Sequence, residues 1–297
     1  MTTDTSSVPE VTSPLAPERF QLHWTRRDFE QRLGFRGGRF TAANKTLAFL
    51  IGALLTVAFY GAIMLVARQW PQTRWFTAMF LERGICPYPT MLFFFWALAI
   101  LFLKSRKLGL QMSALDLAAV PQQPDFVLTP SSARTVLDRI HTLVDSTSHF
   151  VLLNRVERAL SNLHNMGQVG DVAQMLKTQA EHDEEQVASS YTLVQGLTWA
   201  IPVLGFIGTV LGLSQAIAAF SGAVTAGKDF SLLKESLGSV TAGLATAFET
   251  TLVALVAALI IQLRSTMLQS RQSEFLDSCN DYCHAHIASK LRLHDNA

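Results

Sequence analysis

The chain has 297 residues, of which 49% are hydrophobic and only 16% charged, and a net charge of +1. Soluble globular chains carry about 25% charged residues, so this deficit excludes an ordinary soluble enzyme and a disordered chain, and the neutral balance gives no reason to expect nucleic acid as a partner. Three cysteines in so long a chain exclude a disulfide-stapled secreted domain.

Residues 1–45 are polar, contain prolines at the start and become rich in arginine (Arg19, Arg26, Arg27, Arg32, Arg36, Arg39). A cleavable signal would place its apolar run much nearer Met1, so none is expected. A spanning helix needs about 20 mostly apolar residues. The first candidate covers 46–67 and carries no charge. The second covers 88–103, includes Phe93-Phe94-Phe95-Trp96, and has Pro87 and Pro89 to open it as first-turn residues. Residues 46–103 therefore read as two transmembrane helices with a short connection holding Arg68, Arg74 and Arg83. Trp70 and Trp75 in that connection suit a membrane interface.

The segment 104–192 is more polar and helical in pattern. The stretch 121–130 is a proline-rich break, after which Ser131-Ser132 is a candidate cap for a helix carrying Val136, Ile140, Leu143 and Val144. Gly167 and Gly170 mark a turn, and Asp171 is a candidate cap for a helix with Val172, Met175, Leu176 and Val187 on its apolar stripe. Glu181, Asp183, Glu184 and Glu185 form its expected solvated face, and no strong breaker separates it from the next apolar run. The last two spans are expected at 193–220 and 236–263, within a unit 193–263, followed by a helical tail over 264–297. Basic residues cluster before the first span, after the second (Lys104, Arg106, Lys107) and after the fourth (Arg264, Arg271). By the positive-inside rule both termini and the middle segment are cytoplasmic. The expected fold is an all-α membrane protein: four transmembrane helices with long cytoplasmic helical extensions packed as a bundle.

The chemistry concentrates in the last two spans. In the third, Pro202 removes a backbone hydrogen bond, and Gly205, Gly208 or Thr209, Gly212 and Ala216 recur at spacings that let helices approach closely in lipid. In the fourth, Gly243, Ala247, Thr251, Ala254 and Ala258 share one face. Glu249 lies about 160° round that helix from Thr251. A carboxyl in such a span is either functional or a protonated group bonded between helices.

These stretches carry a family resemblance. Residues 199–213 resemble the Pro-Leu-Gly-Leu-Leu-Gly-Thr-Val-x-Gly signature of the MotA, TolQ and ExbB proton-channel family, and 243–255 resemble its following helix. Pro202, Gly205, Gly208, Thr209 and Gly212 match the first motif; Gly243, Ala247, Thr251 and Leu255 match the second. Thr246 stands where ExbB-like members carry a glutamate, Glu249 lies one turn later, and Ala254 replaces a glycine. The four spans are MotA-like, whereas the motif wording is closer to TolQ and ExbB.

The resemblance implies a homopentameric ring in a bacterial inner membrane, around a single-span partner of the MotB, ExbD or TolR type with a membrane aspartate. It implies ion flow, protons rather than Na⁺, that drives rotation of the ring and powers work at the cell envelope. It places Thr209 and Thr251 on the ion pathway, with Thr246, Thr250 and Glu249 as further candidates, and gives packing or kink roles to Pro202, Gly205, Gly208, Gly212, Gly243 and Ala247. The chain is expected to be no enzyme and to need no cofactor. The alternative from another class is a non-conducting membrane scaffold for an envelope assembly. Cys279, Cys283 and His286 share one face of the tail helix, but their spacing fits no zinc motif and packing is the expected role.

Overall fold

The computed structural model describes residues 22, 24, 29–32, 34–35, 38, 40–117, 120, 127–163, 169–225 and 230–292. Arg19, Arg26, Arg27, Arg36, Arg39, most of the proline-rich break and Gly167 lie outside the described residues.

The described chain is helical, with two isolated bridges, Leu22 to Val144 and Leu128 to Leu291, as its only extended pairings. Helix α1 (Lys45–Gln69) is capped by Asn44, whose Oδ1 accepts from the backbone of Thr46 and Leu47. Satisfying these otherwise orphaned donors fixes where the helix begins. A short helix α2 (Arg74–Leu81) occupies the connection that the sequence left unassigned. Gly84, at φ +78°, then turns the chain into α3 (Pro87–Leu115), with Pro87 in its first turn. Helix α3 continues 12 residues past the expected end of the second span, at residue 103.

Helices α4 (Pro130–Leu143), α5 (Val151–Ser161) and α6 (Val169–Ser189) form the middle segment. The cap of α4 is Thr129, with Pro130 opening the helix and Ser132 closing a reciprocal capping box. The expected cap at Ser131-Ser132 thus falls inside the first turn, because Pro130 has no N–H to satisfy and suits that position. Helix α7 (Thr192–Thr225) follows α6 after a two-residue joint at Ser190 and Tyr191, and runs unbroken through Pro202. Helix α8 (Phe230–Cys283) is one rod of 54 residues that joins the expected fourth span to the tail, and a π-type turn (His284–Ala288) ends it. Among the described residues, four helical stretches are long and apolar enough to cross a membrane.

The inner half of α8 closes a helical bundle with α5 and α6. Arg155 of α5 and Asp183 of α6 are fully buried (1% and 0% exposed) and paired at 2.6 Å. Asn280 of α8 accepts from Arg155, and Gln179 donates to Asp183. Asp183 therefore belongs to the core and not to the solvated face expected for it. Periodicity assigned it a side; only its partner 28 residues away decided its burial. The described part of the N-terminal segment docks on the same body. Trp24 is buried, stacks on His149 and meets Phe150 edge-on. Glu30 accepts from Lys107 at 2.6 Å with both side chains buried.

The joint between α6 and α7 is held by polar side chains. Lys104 of α3 donates to Ser190 at 2.5 Å and lies 3.9 Å over the ring of Tyr191. Tyr191 in turn donates to Gln272 of α8 at 2.8 Å, and Gln272 reaches Thr41. The long apolar helices and the helical bundle are thus tied together where they meet.

Candidate functional site

Helices α7 and α8 pack through small residues. A Cβ added at Gly212 would stand 2.6 Å from the Ala247 nitrogen and 2.6 Å from the Gly243 carbonyl oxygen. A Cβ at Gly243 would stand 2.8 Å from the Ala216 nitrogen. At Gly205 it would stand 2.5 Å from the Ala254 methyl, and at Gly208 it would run into the Thr250 side chain. The glycines therefore serve backbone-to-backbone contact, the arrangement that gives dispersion its grip where lipid removes the hydrophobic drive between helices.

The two threonines of the motifs meet in this seam. Thr209 Oγ1 and Thr251 Oγ1 are hydrogen-bonded to each other. Each also donates toward backbone oxygens of both helices. Thr209 lies 3.2 Å from the Gly205 oxygen and 3.3 Å from that of Ala247; Thr251 lies 3.1 Å from each. A hydroxyl is one donor with two acceptor sites, so each oxygen offers more donor contacts than it has protons, and the protons can be redistributed within the pair. Both side chains are half-buried rather than sealed.

The other candidates divide. Thr250 is buried and bonds back to Thr246 and Ala247, filling the space opposite Gly208. Thr246 bonds back to Ala242 within its own helix. Ala247 is buried against α7. Pro202 sits in an unbroken helix and deprives the Thr198 carbonyl of its partner.

Glu249 does not join the threonines. Its carboxylate accepts from Arg83 twice, Nε at 2.6 Å and Nη2 at 3.0 Å. The carboxyl read from the sequence as lying in the membrane is thus bound to the connection between α2 and α3. A bidentate guanidinium–carboxylate pair is the strong form of this contact. Arg83 was read only as one of three basic residues in the connection; 166 residues separate it from its partner, and no local pattern links them. One turn further on, Val253 packs against the cluster of Tyr60, Ile63, Met79, Phe80 and Met91. Glu249 therefore lies near the outer ends of α1 and α3, facing away from the threonine seam.

The tail cysteines behave as core. Cys279 and Cys283 are both fully buried free thiols. Burial pushes Cys279 up to about 12, against a smaller lowering by Arg155, and Cys283 up to about 11. His286 lies against Tyr282, with ring centroids 4.5 Å apart and the planes tilted by 48°. No cluster of three or more His, Cys, Asp or Glu able to hold a metal occurs among the described residues.

Residues 148–280 match the family model described as the MotA/TolQ/ExbB proton channel family. The match runs from just before α5 through α6 and α7 into the inner half of α8, and so takes in the whole threonine seam. Over that region the chain is similar to the MotA/TolQ/ExbB proton channel family. Neither curated proteins nor solved structures gave a match to the chain.

Proposed function

We propose that the chain is the ring subunit of a proton-driven motor in a bacterial inner membrane, five copies surrounding a single-span MotB-, ExbD- or TolR-like partner. Both termini and the α4–α6 segment face the cytoplasm in this reading. The observation that carries it is the hydroxyl pair of Thr209 and Thr251, half-buried in a seam otherwise built of Gly and Ala. Hydroxyls bind water and pass protons without themselves carrying charge. The titrating carboxylate is supplied by the partner's membrane aspartate, because Glu249 is occupied by Arg83 on the other side of α8. Protons rather than Na⁺ are the ion in this reading.

One observation favours the scaffold alternative. Both hydroxyls also find backbone acceptors, so they can serve packing alone. The double substitution Thr209→Val and Thr251→Val separates the two. In the motor, proton uptake by vesicles holding the subunit and its co-expressed partner falls at least tenfold, while the complex still purifies intact. Unchanged uptake by the variant complex would sink the motor reading and leave the scaffold.

A further inference from the structure

At the opposite end of the membrane part, α3 and α8 diverge enough to leave a cavity of about 310 Å³. Arg264 and Arg271 of α8 line it, with Ser105 of α3 between an apolar floor of Leu98, Phe102 and Met267. The two arginines are seven residues apart, which places them on one face of the helix about 10 Å from each other. Both are exposed, and neither makes an ion pair among the described residues. Two other cations at this level are engaged, Lys104 with Ser190 and Lys107 with Glu30. The floor is equally unusual. Phe102 and Met267 are each 64% exposed; Phe102 lies at the end of the second span, on the membrane side of the cavity, and Met267 lies between the two arginines along α8.

We propose that this cavity seats the headgroup of an anionic phospholipid, with its phosphate between Arg264 and Arg271 and its acyl chain along Leu98 and Phe102. A guanidinium presents a planar fork of donors that matches phosphate oxygens. Basic pockets between transmembrane helices on the cytoplasmic side suit such headgroups. A soluble anion would use the arginines but gain nothing from the exposed apolar floor; a lipid uses both. The position fits, since Arg264 and Ser105 stand directly beyond the ends of the fourth and second spans. The lipid would fill the groove between an outer and an inner helix of the same subunit. The proposal requires that these helices span the membrane, and is independent of whether the chain conducts ions.

The test places a reporter in the floor. Phe102→Trp, in the full chain reconstituted in phosphatidylcholine nanodiscs, is read by fluorescence after subtraction of the parent chain. A minor fraction of brominated phosphatidylglycerol should quench it at least twofold more than the same fraction of brominated phosphatidylcholine. Adding Arg264→Gln and Arg271→Gln should abolish that preference, whereas the corresponding lysine pair should retain most of it. These arginines are exposed, so the variants leave the core untouched. Equal quenching by the two lipids overturns the proposal, as does a preference that survives loss of both arginines. Absence of quenching by either lipid would mean that another copy of the chain covers the cavity, and also overturns it. Displacement of the preference by excess inorganic phosphate would make this a small-anion site and overturn the lipid assignment.

Discussion

One helix, α8, packs in two different ways along its 54 residues. Its outer half meets α7 through Gly243, Ala247, Thr251 and Ala254, with backbones in contact and hydroxyls in the seam. Its inner half buries Leu268, Phe275, Leu276 and Cys279 in the core that includes α5 and α6, around a buried ion pair. The difference follows from the solvent. In lipid, apolar surface gains nothing by being covered, so close van der Waals fit and internal hydrogen bonds hold helices together. In water, large side chains gain by burial, and a charge can be taken inside only with a partner. The change falls near Arg264 and Ser265, where the fourth span was expected to end.

The strongest way to break the comparison is on the inner side. Arg155→Ala leaves Asp183 buried without its guanidinium, a loss of about 3–5 kcal/mol. Arg155→Met with Asp183→Leu should recover most of it, because the desolvation cost disappears along with the attraction. Thermal unfolding of the detergent-solubilised protein reads both. A single variant as stable as the parent would show that the bundle is not the closed core described.

On the outer side the corresponding insult is volume. Gly212→Leu puts a side chain where a single carbon already stands 2.6 Å from two backbone atoms. Overpacking costs about 1–3 kcal/mol, and here it should also drive α7 and α8 apart. Gly61→Ala, in α1 with nothing within 4 Å of the added carbon, should not destabilise the protein, since alanine without a clash favours a helix by about 0.5–1 kcal/mol over glycine. If the two substitutions cost the same, the seam is not close-packed.

The Arg83–Glu249 pair stands between these cases, with side chains 20% and 27% exposed. Arg83→Gln should cost about 1 kcal/mol, the upper end for a pair not fully buried. Exchanging the two residues, Arg83→Glu with Glu249→Arg, should restore part of it. A double-mutant cycle on the unfolding midpoint measures the coupling; a coupling of zero would mean that the connection does not hold α8.

Much of this division is legible in the sequence, and the remainder fails for identifiable reasons. Apolar runs and the small-residue spacing mark all four long helices and the seam, because span length and close approach are local properties of composition and period. The motifs single out Thr209 and Thr251, and the two hydroxyls meet in one seam. What escapes is pairing at a distance. Asp183 looks like one more acid on a solvated stripe, and Arg83 like one more basic residue in a connection; each is defined by a partner in another helix. Thr129 escapes for a smaller reason: the proline after it, and not the serines, sets the helix start. The short helix α2 has only eight residues, too few for a periodic pattern to declare itself.

The smallest effect is also the cleanest probe of how dry the inner half is. Burial raises Cys279 to about 12 and Cys283 to about 11, from an ordinary thiol value of 9.0. Since both values lie above that of the unfolded chain, folding favours the neutral thiols. Their contribution is fully present below pH 9 and fades as pH rises through about 11 and 12. The thiolate is the reactive form. At pH 8 its share is roughly a tenth for an ordinary thiol and on the order of a thousandth for one at Cys283's value. Alkylation of the Cys86→Ser variant, which leaves only the tail thiols, should therefore run about a hundredfold slower in the folded protein than in denaturant. Labelling at the denatured rate would mean that water reaches the helix face carrying both cysteines. The inner half of α8 would then not be a core, and its contrast with the outer half would fail at its base.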